Sequence, residues 1–297
     1  MMIQASQVWR RFGRFDALRG LTLSVPEGSA FALIGPNGAG KTTTIKVLMN
    51  ILEPTRGTAT VLGTDSRRLS PRELSQIGYV SENQDMPERL TVAEYLSYLR
   101  PFYPRWDRVL EATVVRELQL PPNTKIRDLS HGMRMKMALA CALPFSPKLL
   151  ILDEPFSGLD PLVRDEFMEG LLRRGAELTI LISSHELSEI EGVATDIGFV
   201  HAGQMVFQES TQDLFARFRE VHVTLERDAA VPERLPSEWL APAAVGNVLS
   251  FVDTRFSAET QARIHALVGG VRRVDAQPMA LRSIFTTLAP AARDGVL

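Results

Sequence analysis

Residues 35–43 read GPNGAGKTT and fit the pattern G-x-x-x-x-G-K-[ST]. Glycines at 35, 38 and 40 let a backbone turn tightly and aim N–H groups at phosphate oxygens. The candidate nucleotide-binding residues are therefore Gly35, Pro36, Asn37, Gly38, Ala39, Gly40, Lys41, Thr42 and Thr43. Lys41 can reach β- and γ-phosphates, and the Thr42 hydroxyl can sit on Mg²⁺. A second metal anchor is available in LLILDEP (149–155), four apolar residues ending in Asp153-Glu154. Asp153 is expected to hold the ion, through water. Glu154 is not needed for the metal and is expected to polarise an attacking water as general base.

Those residues need a frame. SAFALIG (29–35) is a short apolar run, the pattern of a buried strand, and KTTTIKVLMNIL (41–52) reads as the helix after the loop. Strand patterns return at 148–155, 178–185 and 196–208, with a helix at 163–176. Alternation of this kind predicts an α/β fold with a mostly parallel sheet, helices on both faces and ligands at the carboxyl ends of strands. Segments 3–12 and 18–28 read as antiparallel strands, and 54–65 as a turn and strand. From about Thr91 to Leu143 the pattern is helical, an insertion. Within it, DLSHGMRMKMALA (128–140) opens a helix at Ser130 and Gly132, with Ser130 as a ready N-cap.

After about 216 the texture changes. Strands are expected at 220–227, 247–253 and 271–277, helices at 258–268 and 280–289, and a Pro-rich loop or linker at 231–242. This predicts an ATP-binding-type domain over 1–215, with its helical part near 85–143, and a small α+β accessory domain over 216–297.

Bulk properties narrow the classes. Net charge is -2, which gives no basic footprint for nucleic acid. The one cysteine, Cys141, forbids a disulfide framework and reads as a small core residue. No apolar run reaches the roughly 18 residues that span a bilayer, and the N-terminus lacks the apolar centre of a signal peptide. The expectation is a chain that starts in the cytosol and docks on a membrane protein rather than crossing the membrane itself.

Over residues 3–215 the chain resembles the nucleotide-binding subunits of ABC transporters, which are P-loop ATPases. The phosphate loop and Asp153-Glu154 match the family's Walker A and Walker B motifs. SGLD (157–160) matches its D-loop, closed by Asp160, and His185 matches the switch histidine that contacts the γ-phosphate. LSHGM (129–133) matches the signature, with His131 where Gly is usual and Met133 where Gln is usual. The resemblance implies that two subunits pack head to tail, so that Ser130 and the backbone at Gly132 cap ATP held by the other. A Cβ at His131 would restrict that backbone if φ were positive there. Phe12, or alternatively Phe15, matches the aromatic stacked on adenine. In the Q-loop segment either Glu82 or Gln84 could touch Mg²⁺ or water, and Gln84 is the preferred candidate.

The family's helical subdomain receives a helix from the membrane subunit. YLRPFYPRWD (98–107) could line that groove or cover a core. The resemblance thus implies ATP hydrolysis with ATP and Mg²⁺ bound, a separate integral-membrane permease, and a second ATP-binding subunit in a homo- or heterodimer. The expected location is cytoplasmic, peripheral on the inner face of the cell membrane. Export, with drugs or peptides as cargo, is the favoured reading. The alternatives are a soluble ABC-type ATPase of the cluster-assembly kind and a nucleotide-dependent binding module with little hydrolysis.

Overall fold

The computed structural model of the 297-residue chain describes residues 1–82, 84–156, 164, 168, 178–232 and 234–293. The D-loop with Asp160, and most of the helix expected at 163–176, lie outside the described residues. Two compact units are present, Met1–Gln208 and Glu209–Leu297.

In the first unit, β1 (Ile3–Phe12) and β2 (Phe15–Val25) form an antiparallel pair. The buried strand β3 (Ala30–Ile34) leads through the glycine loop into α1 (Lys41–Leu48). This helix is shorter than the expected 41–52, because Asn50 adopts φ 57, a left-handed conformation that ends a helix. β4 (Arg56–Val61) and β5 (Thr64–Asp65) complete a sheet of order β2-β1-β4-β5. A short α2 (Pro71–Leu74) precedes β6 (Ile77–Ser81).

The insertion follows as α3 (Val92–Leu99), α4 (Arg108–Glu117) and α5 (His131–Ala142). Thr91 caps α3 in a reciprocal box with Glu94, which fixes where that helix starts. Arg100 pairs with both carboxylate oxygens of Glu111 at 2.8 and 2.7 Å, and Trp106 Nε1 donates to Glu111 at 2.6 Å. Tyr103 stacks on buried Phe145 at 4.1 Å. The 98–107 segment thus divides: Tyr103 and Trp106 cover a core, whereas Tyr98 and Phe102 are 58% and 61% exposed. Cys141 is buried in α5, and burial pushes its thiol pKa up.

The core sheet continues with β7 (Leu149–Asp153), β8 (Thr179–Ser184), β9 (Asp196–His201) and β10 (Gln204–Ser210). Its order is β10-β9-β3-β8-β7-β6, with β3, β6, β7, β8 and β9 joined by parallel pairings. The expected α/β architecture holds: a parallel core, an antiparallel sheet and a helical insertion. Phe31, Leu33, Ile45, Leu149, Ile151 and Leu181 anchor one cluster at 0% exposure. Burial of side chains this size contributes about 1.5–3 kcal/mol each, so the strands that carry the site are fixed rigidly.

In the second unit, α6 (Thr211–Arg217) leads into β11 (Arg219–Leu225). The sequence reading kept α6 with the first domain. Arg217 ties it to the second unit through Glu209 at 2.8 Å and the Thr254 carbonyl at 2.6 Å. β12 (Trp239–Val245), β13 (Val248–Asp253), α7 (Thr260–Leu267), β14 (Val271–Pro278) and α8 (Leu281–Arg293) follow. The sheet order is β12-β13-β11-β14. β12 takes 239–242 out of the loop expected at 231–242, while the described residues before it carry no strand: Pro242 sits on an edge strand, where a missing N–H removes no ladder bond.

Candidate functional site

Sheet register aligns the carboxyl ends of the core strands. Asp153 pairs with Ser183 and with Ser81, and Leu33 pairs with Ser183. Segments leaving β3, β8, β7 and β6 therefore converge. Gly40 precedes α1 at φ 108, and among the described residues no side chain caps that helix start. Its free N–H groups and the helix dipole form an anion site. Lys41 is 5% exposed, and its ammonium donates to the carbonyls of Gly35 at 2.7 Å and Pro36 at 3.3 Å.

The two carboxylates take different partners. Asp153 is 4% exposed, and its Oδ1 accepts from Ser183 at 2.7 Å and from Thr42 at 3.1 Å. Burial pushes its pKa up, against the pull of those two hydroxyls. Glu154 leaves the strand at φ 52, so its backbone turns away from the sheet ladder. Its N–H donates to Ser183 Oγ at 3.0 Å, Oε1 lies 3.1 Å from Lys41, and Oε2 lies 2.7 Å from His185 Nδ1. That hydrogen bond holds the His185 pKa above its ordinary value.

The structure thus joins Lys41, Thr42, Asp153, Glu154 and His185 in one contact network. The other expected residues lie as follows. Among the described residues Gln84 Oε1 is buried without a hydrogen-bond partner, and Glu82 N donates to the Asp153 carbonyl at 3.2 Å. Glu82 and Gln84 line a cleft of about 280 Å³ together with His131 and Arg134 of α5. Phe12 is 42% exposed with the Arg10 guanidinium 4.7 Å over its ring, and Phe15 is 61% exposed. Ser130 caps α5 by accepting from Met133 N at 3.3 Å. His131 and Gly132 lie in the first turn of α5, and His131 is not among the positive-φ residues, so its Cβ meets no left-handed strain.

The sequence reading missed Ser183. Its signal was a hydroxyl inside an apolar strand, LTILISSH (178–185), level with Asp153.

A hard-oxygen pair, the Thr42 hydroxyl and Asp153, together with the unpaired Gln84 oxygen, matches the donor set Mg²⁺ prefers. A triphosphate gives the buried lysine, the bare helix start and these oxygens a common purpose. Fold and site together define a nucleotide-binding protein of the phosphate-loop class.

Comparison with known proteins narrows the class. The family described as "ABC transporter" matches residues 18–157. The chain is 33% identical over 224 residues to the probable multidrug ABC transporter ATP-binding protein YbhF of Escherichia coli, covering 73% of this chain but only 38% of that relative. It is 34% identical over 223 residues to the bacitracin transport ATP-binding protein BcrA of Enterococcus faecalis, covering 74% of this chain and 72% of the relative. A solved ATP-binding subunit of an ABC transporter superposes with TM-score 0.67 at 28% identity, over 73% of this chain and 92% of its own. The chain belongs to the ABC-transporter ATP-binding proteins and has the ABC ATPase fold.

Proposed function

We propose that this chain is the ATP-hydrolysing subunit of an exporter, docked on a separately encoded permease at the inner face of the cell membrane. Among the described residues no helix is long and apolar enough to cross a membrane. The carrying observation is the network of Lys41, Thr42, Asp153, Glu154 and His185 at the ends of neighbouring parallel strands. In this reading ATP phosphates replace the Gly35 and Pro36 carbonyls and Glu154 as partners of Lys41. Glu154 Oε1 is then free to take a proton from the attacking water, while His185 holds Oε2 and aims the carboxylate. The water oxygen bonds to the γ-phosphorus, the bond to the bridging oxygen breaks, and ADP and phosphate leave. Thr42, Asp153 and Gln84 would hold Mg²⁺, which neutralises charge on the phosphates.

Phe12, 42% exposed with the Arg10 guanidinium over its ring, is the aromatic that would stack on adenine. Ser130 and Gly132 would close over ATP on a second subunit, with the Ser130 hydroxyl turning from Met133 N to the phosphate so that the α5 helix start supplies the anion site, and Asp160 is proposed to serve the same interface. Exposed Tyr98 and Phe102 suit a docking face for the permease. The names of the YbhF and BcrA relatives support a drug or peptide antibiotic as cargo.

The test is Glu154→Gln in the purified full chain. Hydrolysis should fall about 10²- to 10⁴-fold while ATP still binds, and light scattering should show a doubled mass with Mg-ATP. Wild-type turnover in the variant would remove Glu154 as base. Absence of both hydrolysis and dimer in the wild type would sink the reading.

A further inference from the structure

β8 carries an anomaly. It is the strand between the phosphate-loop strand β3 and the carboxylate strand β7, it is buried along its length, and it ends in two serines. Ser183 is 0% exposed. A hydroxyl there costs stability unless it is hydrogen-bonded, and an alanine would fill the space as well. The Ser183 hydroxyl spends both its donor and its acceptor outside its own strand. It donates to Asp153 Oδ1 at 2.7 Å and accepts from Glu154 N at 3.0 Å.

We propose that Ser183 is a positioning residue for ATP hydrolysis, one hydroxyl that sets both the metal-holding carboxylate and the general base. The inference rests on the ATPase reading above. Asp153 Oδ1 has two hydroxyl donors, Ser183 and Thr42. When Thr42 turns to the metal, Ser183 is the donor that keeps Asp153 oriented. Glu154 sits at φ 52, where its N–H cannot extend the β7–β8 ladder. The bond to Ser183 satisfies that N–H and fixes the turn from which the Glu154 carboxylate projects. A displacement of 1 Å at such a point can cost about 100-fold in rate.

The experiment uses the purified full chain with Ser183→Ala, Ser183→Thr, and Ser183→Ala combined with Glu154→Gln. Steady-state hydrolysis gives kcat and KM. Titration with a fluorescent ATP analogue, in EDTA and in Mg²⁺, gives affinity without turnover. Ser183→Ala should lower kcat about 10- to 100-fold, the loss expected for a hydrogen bond to a charged group. KM for Mg-ATP should rise by no more than the loss of Mg²⁺-dependent affinity, about tenfold. Affinity in EDTA should be unchanged, and the gain on adding Mg²⁺ should shrink about tenfold. Ser183→Thr should restore kcat, and in the Glu154→Gln background the alanine should lower the residual rate by less than it lowers the wild-type rate, while the Mg²⁺-dependent affinity loss through Asp153 persists.

Three results overturn the proposal. The first is a kcat for Ser183→Ala within about threefold of wild type. The second is equal loss of affinity in EDTA and in Mg²⁺ with a lowered Tm, which marks a purely structural serine. The third is an additive loss in the double variant, which decides the matter if Ser183→Thr does not fold. A wild-type chain without hydrolysis would sink the ATPase reading instead, and the Mg²⁺-dependent affinity would still decide Ser183.

Discussion

Gly35 is the sharpest place to perturb the phosphate loop, because the obstacle there is backbone. A Cβ built on Gly35 falls 2.2 Å from the Val200 carbonyl oxygen and 3.1 Å from Ala39 Cβ, where ordinary contact begins at 3.4 Å. Gly35→Ala therefore demands about 1 Å of movement. Neither side yields easily. Val200 is 0% exposed in β9, and β9 pairs with β3 up to Ile34↔Phe199, the residues just before the clash. Overpacking of this kind costs about 1–3 kcal/mol, or about 2–12 °C in Tm for a unit of this size. The functional loss should be larger, since 1 Å at the phosphate cradle is worth about 100-fold in kcat/KM.

Gly38 provides the contrast. It has φ +78 with nothing within 4 Å of a built Cβ, so Gly38→Ala meets torsional strain alone, about 1–2 kcal/mol. Gly38→Asn should be milder still, because Asn tolerates left-handed backbone. Equilibrium binding of a fluorescent ATP analogue and calorimetry on each variant make the comparison. The expected order of damage is Gly35→Ala, then Gly38→Ala, then Gly38→Asn. Binding within about threefold of wild type and an unchanged Tm for Gly35→Ala would refute the claim that β9 is a rigid wall behind the loop.

Other consequences are as direct. His185 should titrate above an ordinary imidazole by NMR, because its bond to Glu154 favours the charged ring. That contribution is complete below the ordinary pKa of 6.5, fades as pH rises through the raised value, and should vanish in Glu154→Gln. Glu111, held low by Arg100, should contribute stability at neutral pH that is lost as pH drops from about 4.5 through its depressed value. Glu111→Ala should therefore cost about 1–3 kcal/mol near pH 7, with the Tm gap to wild type closing in acid; a constant gap would contradict this. Trp239 stacks on Phe251 at 4.2 Å, and among the described residues its buried indole N–H is unpartnered, so Trp239→Phe should be neutral or mildly stabilising. A Tm drop beyond about 5 °C, more than about 1 kcal/mol, would mean that the N–H has a role.

What could be read from the sequence was local. The apolar strand, glycine loop and helix start at 29–48 announce themselves within twenty residues of one another, and LLILDEP does so within seven. Both depend on short-range chemistry. β12 was hidden because proline normally argues against a strand, and only the sheet order shows that this strand is an edge. The shorter α1 turned on one left-handed residue, Asn50. The Lys41–Glu154 contact and the Ser183 bracket come from strand register, which joins residues 113 and 30 positions apart. Spacing along the chain carries no trace of it.

That register also explains why β8 ends in small residues. β3 and β7 are not neighbours; β8 lies between them. Adjacent strands stand about 4.8 Å apart, so the loop that follows β3 is about two strand spacings from Asp153. Yet Thr42 touches Asp153 at 3.1 Å, across the end of β8. Ser183 Oγ meets the same carboxylate oxygen, which puts its side chain on the side where the crossing occurs. A Val or Leu at that point would stand between the hydroxyl and the carboxylate. Serine satisfies two demands at once: it is small enough to let the loop reach over, and polar enough to hold what the loop reaches. Ser183→Val should thus be worse than Ser183→Ala in Mg²⁺-dependent nucleotide affinity, because it loses the same hydrogen bonds and also blocks the approach of Thr42. Equal affinities for the two variants would mean that the loop closes over β8 by some other path.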